Sequence, residues 1–185
     1  MGMYTGLRCK IKIKEEYVND LKELEATCFE WSEHSNLEFK KFGELDRASF
    51  IPLGCLSYMP YCWEKLREGA TNKYDTEDVD EFKRNFDEES RIWTFQCSLK
   101  NYSDEIGYFI ENIIPLIAED IIHLEKFYEE WDTSIIYKMD KSKGMIEIKD
   151  GYRYIDDRYG CELIRPVLVE EYENLCMDEK IKLFI

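Results

Sequence analysis

Two stretches of strict alternation constrain the fold of this chain more than any other feature. In residues 7–14, Leu7, Cys9, Ile11 and Ile13 alternate with Arg8, Lys10, Lys12 and Lys14. In residues 92–100, Trp93, Phe95, Cys97 and Leu99 fall on one side, and Thr94, Gln96 and Ser98 on the other. Successive strand side chains point to opposite faces, so each stretch predicts a strand with one apolar face; the first strand also carries a basic one. Helical spacing follows each of them. Val18, Leu21, Leu24 and Cys28 recur behind an acidic start at Glu15 and Glu16. Ile106, Ile110, Ile113 and Ile117 recur behind an expected N-cap at Ser103, with Asp104 and Glu105 in the first turn. Pro115 predicts a kink in that second helix, since proline lacks the amide hydrogen the helix needs. The expected class is α+β: a mixed or mainly antiparallel sheet of six to eight strands, two main helices on one face, and a C-terminal helix.

The remaining segments fill in this outline. Residues 50–59 read as a largely buried strand ending at Pro60. Residues 121–131 and 134–139 read as further strands, with a turn at 141–144. Asp150-Gly151 between residues 145–149 and 152–155 predicts a hairpin, because aspartate and glycine tolerate the positive φ of a two-residue turn. A terminal helix is expected from about Leu168, with Tyr172, Leu175 and Cys176 on its apolar side. Laying Cys9 on Cys97 aligns strand with strand and helix with helix, which suggests a duplicated βαββ unit. The length of 185 residues suits a single domain, 1–185. Within it, residues 67–91 carry nine acids and five bases and form an acidic surface excursion, with a short helix through Val79, Phe82 and Phe86.

Seven cysteines without a CxxC pair, most of them in apolar patterns, read as small buried hydrophobes in a reducing, cytoplasmic setting. The first fourteen residues lack the apolar core of a signal peptide, and the longest apolar run is too short to span a bilayer.

Chemistry-bearing motifs are sparse. His34 lies in a polar stretch. His123, Glu125 and Glu129 share one strand face and could bind a metal or move a proton; the same pattern fits a half-exposed polar stripe. The nine glycines form no phosphate loop, no GxSxG elbow occurs, and Cys97 has no local activating partner. The expectation is therefore no catalytic residue, no metal site and no cofactor. A carboxylate-dependent enzyme stays as an alternative, because 40 acids would hide such a site.

The formal charge of −15 opposes nucleic acid and anionic membranes and favours a basic protein partner. Residues 92–140 hold ten acids against three bases. Within them Glu119, Asp120, Glu125, Glu129, Glu130 and Asp132, with Tyr128 and Trp131 among them, form a candidate partner-binding face, since aromatics anchor and charge steers. Solubility alone would also account for such acidity. In charge and size the chain resembles immunity proteins that neutralise nuclease toxins, and phage inhibitors that mimic nucleic acid. That resemblance implies a non-enzymatic protein that docks on a basic partner and inhibits it. An alternative is a small-molecule module. Duplicated βαββ units resemble the gyrase-inhibitor-like and SOUL ligand-binding fold, whose halves enclose a cleft; Tyr58, Trp63, Trp93 and Tyr137 would line it, and Glu125 would receive a cation.

Overall fold

The structure, a computed structural model, describes residues 3–140, 142–156 and 161–184. Its strands are β1 (Tyr4–Ile13), β2 (Glu64–Leu66), β3 (Thr76–Asp78), β4 (Asn85–Asp87), β5 (Ile92–Lys100), β6 (Ala118–Tyr128), β7 (Ile135–Asp140), β8 (Gly144–Ile148), β9 (Tyr152–Asp156) and β10 (Cys161–Leu168). The two alternating segments become β1 and β5, which pair antiparallel at the middle of a six-stranded sheet of order β4-β5-β1-β6-β7-β8. Two further two-stranded sheets, β2–β3 and β9–β10, complete the strands. The α+β class and the mainly antiparallel sheet are as the alternation predicted.

The apolar face of the sheet is the main core. Leu7, Cys9, Ile11, Ile13, Trp93, Phe95, Cys97 and Leu99 are buried there beneath helices α1 (Val18–Ala26) and α2 (Leu37–Gly43) and the helix that precedes β6. Trp31 sits among Phe39, Phe42 and Phe109 and donates its indole N–H to the Ile51 carbonyl at 2.8 Å, so a large ring is buried without leaving a polar atom unpaired. Asn36 caps α2 by accepting from the amides of Glu38 and Phe39.

The opposite face is covered as well. Residues 55–63, the β2–β3 ribbon, Phe82 and β9 lie over it, with Trp63, Phe127 and Tyr154 as their apolar centre. This second layer explains why Thr94, Gln96 and Ser98, spaced as a polar face, are buried, and why the basic face of β1 includes a buried Arg8. At Gly6 the layer packs directly on the sheet: an added Cβ would meet the Met59 sulfur and lie 2.8 Å from the Trp63 ring.

Several expectations are corrected. Residues 50–59 are not a strand: a single kinked turn, α3 (Phe50–Leu53), leads into irregular chain, since Pro52 cannot supply a ladder amide. Ser103 is not the N-cap of its helix. Asp104 holds that position in the left-handed region, and the Asn101 side chain accepts the Ile106 amide instead. The helix itself keeps Ile106, Ile110, Ile113 and Ile117 buried. It runs as α4 (Glu105–Tyr108), a π-helical turn (Phe109–Ile113) and α5 (Ile114–Ile117). The widened turn lies just before Pro115 and absorbs the bond that proline cannot make.

Asp150-Gly151 is not a hairpin turn. β8 pairs with β7, and β9 pairs with β10, so the chain leaves the main sheet at this point. The turn expected at 141–144 joins β7 to β8, with Lys141 outside the described residues. β6 ends at Tyr128, short of Trp131. The second expected βαββ unit closes within the sheet through β5, β6 and β7, whereas the helices after β1 lead to β2 and β3, a sheet of their own. In place of a helix through Val79 and Phe86, residues 67–91 hold β3, a 3-10 turn that buries Phe82, and β4. The terminal helix is two short ones, α6 (Val169–Asn174) and α7 (Met177–Ile181), and Cys176 caps the second. Only Cys9 and Cys97 are buried; Cys28, Cys55, Cys161 and Cys176 are exposed. α1 ends before Cys28, which turns outward with a positive φ.

Because the second layer touches Gly6, Gly6→Ala should overpack it and cost about 1–3 kcal/mol. Urea denaturation of the variant beside the parent chain checks this, and an unchanged midpoint would remove the contact.

Candidate functional site

The ends of the central strands carry an exposed aromatic and acidic rim. Tyr4, at the start of β1, stacks on Tyr58 at 5.1 Å between ring centroids, and the Lys100 ammonium lies 5.6 Å from the Tyr4 ring. Glu129 continues the ladder beyond β6, its amide donating to the Tyr4 carbonyl at 3.1 Å and its carboxylate accepting the Tyr4 amide at 2.9 Å. Tyr128 touches Met3 through its hydroxyl and meets Trp131 edge to face at 5.5 Å. Tyr58 is 73% exposed and Trp131 37%. The Tyr128 hydroxyl is pushed up in pKa, by desolvation first and then by the charges of Glu130 and Glu129. Beside Trp131 a shallow hollow of about 400 Å³ is lined by Asp132, Thr133, Ile135, Glu147 and Lys149.

Behind the rim lies a buried charged network that joins the sheet to its second layer. Arg8 is 4% exposed and faces Gln96 on one neighbour strand and Glu125 on the other. Its Nε donates to Gln96 Oε1 at 3.0 Å, and its guanidinium lies between the Trp63 and Phe82 rings, 4.4 and 4.5 Å from their centroids. Glu125 is fully buried. Its carboxylate accepts from Tyr154 Oη at 2.6 Å and from His123 Nε2 at 2.9 Å. Burial acts to raise the Glu125 carboxyl. The His123 bond and charge, the Arg8 charge and the Tyr154 hydroxyl outweigh it and hold the group below its ordinary value. The same charge, after burial, pushes the Tyr154 hydroxyl well up, so Tyr154 stays a donor.

The expected partner face is divided by this arrangement. Strand rise puts Glu119 and Asp120 roughly 30 Å from Glu129, Glu130 and Asp132, at the other end of β6. Glu119 is bridged by Lys12 at 2.8 Å and Arg91 at 2.7 Å. Asp132 pairs with Arg153 at 3.1 Å. Glu125 points inward and has no surface to offer a partner. Tyr128, Glu129, Glu130, Trp131 and Asp132 are brought together.

Of the residues expected to line a ligand cleft, Trp63 lies in the second layer and Glu125 faces that layer from β6. Trp93 lies in the main core, Tyr137 packs at its margin, and Tyr58 is at the rim. A cleft of about 420 Å³ does open between residues 52–56, the β2–β3 ribbon and Lys83–Arg84, with Gln96 also in its lining, and none of those five residues lines it.

His34, read as a loop residue, is buried, with Nε2 3.6 Å from Asp20 and 3.7 Å from Glu23. Among the described residues no three side chains form a metal-ligating group, and no helix is long and apolar enough to cross a membrane. No protein-family model, no curated protein and no solved structure matches this chain.

Glu125→Gln should cost about 2–4 kcal/mol at neutral pH, because it leaves Arg8 buried without its countercharge. The folded-state pKa of Glu125 lies below its unfolded value of about 4.3. Its contribution is therefore complete above that value and is lost as pH falls through the folded one. Chemical denaturation should show a gap between parent and variant that closes under acid; a gap independent of pH would contradict the ionised state.

Proposed function

We propose that this chain is a non-enzymatic binding protein that docks on, and thereby blocks, a basic protein partner through the rim at the ends of β1 and β6. One observation carries the reading. Tyr58, Tyr4, Met3, Tyr128 and Trp131 form a run of partly exposed apolar groups, and Glu129 and Glu130 sit within it. Exposed aromatics anchor an interface at low conformational cost, and carboxylates around them steer a cationic surface into register. The formal charge of −15 supports the same choice of partner and opposes nucleic acid and anionic lipid. Glu130 makes no ion pair among the described residues, so its charge is free to act across an interface.

Retention from a lysate of the native host, compared at low and high salt and identified by mass spectrometry, should yield a basic protein released by salt. The affinity of that protein should then fall roughly 30-fold for Trp131→Ala, about 2 kcal/mol for an aromatic anchor. Glu130→Lys should slow association. Equal affinity for the parent chain and both variants would contradict the rim.

A further inference from the structure

β5 is nine residues long, and its two neighbours do not cover it equally. On one side β1 pairs with all of it. Ile13 extends that pairing by donating its amide to the Arg91 carbonyl at 2.8 Å, so the odd-numbered residues of β5 turn their backbone groups towards β1. The even-numbered ones turn theirs away. Of these, Ile92 and Thr94 meet β4, which stops at Asn85 opposite Thr94. Ser98 is covered by the chain at Gly54, where an added Cβ would meet the Ser98 carbonyl. Gln96 lies between them and faces neither. Among the described residues no hydrogen bond reaches its backbone amide or carbonyl, although the residue is only 4% exposed. Buried backbone groups are almost always paired, so a donor and an acceptor left over on one residue mark a place for a ligand that completes the ladder.

Gln96 is part of the lining of the 420 Å³ cleft, whose size suits a small ligand. That lining is neutral, three cations to three acids, in a chain of −15. The acids are engaged from within the protein. Glu64 accepts from Thr76 Oγ1 at 2.7 Å, Asp78 accepts from Gln96 Nε2 at 3.0 Å, and the Lys65 ammonium lies 3.7 Å from Glu77. Arg67 has Asp75 at 3.3 Å. Lys83 and Arg84 are exposed and make no ion pair or side-chain hydrogen bond among the described residues. They stand where β4, if continued, would oppose Gln96 and Phe95, and so they flank the unpaired backbone groups. Pro52, Leu53 and Leu56 give the cleft an apolar wall.

We propose that this cleft binds the C-terminal end of an extended peptide. One peptide residue adds to the edge of β5, its carbonyl accepting the Gln96 amide and its amide donating to the Gln96 carbonyl. The terminal carboxylate lies against Lys83 and Arg84, and an apolar side chain lies against the wall at Pro52, Leu53 and Leu56. A strand running through the cleft fits less well. Gly54 and the chain at Lys83 close the edge on either side of Gln96, which leaves room for an end, and an internal segment brings no carboxylate of its own to the two free cations.

NMR of the nitrogen-15-labelled full chain reads the binding directly. Acetyl-alanyl-alanyl-leucine with a free carboxylate should shift the Gln96 amide resonance saturably, and its C-terminal carboxamide should bind roughly tenfold more weakly. Lys83→Ala combined with Arg84→Ala should weaken the carboxylate peptide by a similar factor and leave the carboxamide's affinity unchanged. Both sites are exposed, and circular dichroism confirms the fold of the variant. A Gln96 amide unmoved by about 10 mM peptide would overturn the proposal, and so would equal affinity for the two peptides or equal affinity of parent and variant. Neither Trp131 nor Glu130 lines the cleft, so such a failure leaves the rim proposal untouched, and a failed rim leaves the cleft untouched.

Discussion

The buried carboxylate of Glu125 is the interaction on which the second face of this sheet depends. A charged group with no exposure is tolerable only when its lone pairs and its charge are answered. Here His123 comes from the same strand, Arg8 from the neighbouring strand and Tyr154 from β9, so one carboxylate ties the sheet to the layer above it. Arg8 in turn holds Gln96, whose amide nitrogen donates to the Trp63 carbonyl at 2.7 Å and to Asp78 at 3.0 Å. Three separate segments of the second layer are thus fastened to the middle of the sheet.

The same fastening assembles the rim. Trp63 packs on Arg8, and the chain just before it carries Tyr58 onto Tyr4. Tyr154 reaches Glu125 with its side chain while its backbone amide donates to the Asp132 carbonyl at 2.9 Å. Ser134 accepts the Gly151 amide at its carbonyl and exchanges bonds with Tyr152, donating its own amide to the Tyr152 carbonyl and accepting the Tyr152 amide at Oγ, which ties the start of β9 beside Trp131. The exposed aromatics are therefore tied by hydrogen bonds and packing to a buried polar network, which lowers the ordering cost of any interface they make.

Much of this was legible in the sequence. Alternation in β1 and β5, and the isoleucine spacing after Ser103, were enough for the class, the central strands and the main core. The cluster from Tyr128 to Asp132 was legible as acids mixed with aromatics, and the structure places these residues together. What alternation cannot report is whether a polar face is wet. Arg8, Gln96 and Glu125 have the spacing of an exposed stripe, and they are buried because residues 55–82 and β9, distant in sequence, fold over them. Local turn chemistry was similarly overridden at Asp150-Gly151, where burial of Tyr154 against Trp63 and Phe127 draws the chain into a different sheet. Strand length separated Glu119 from Glu129, a distance that a count of charges in a window does not contain.

An ionised Glu125 in the folded chain holds the two layers together. Carboxyl carbon-13 NMR of the folded protein, with the Glu125 resonance followed through an acid titration, tests it most directly. The midpoint should lie below the ordinary glutamate value of about 4.3, with the Tyr154 resonance moving in the same step. A midpoint above that value, as for a carboxyl governed by burial alone, would contradict it.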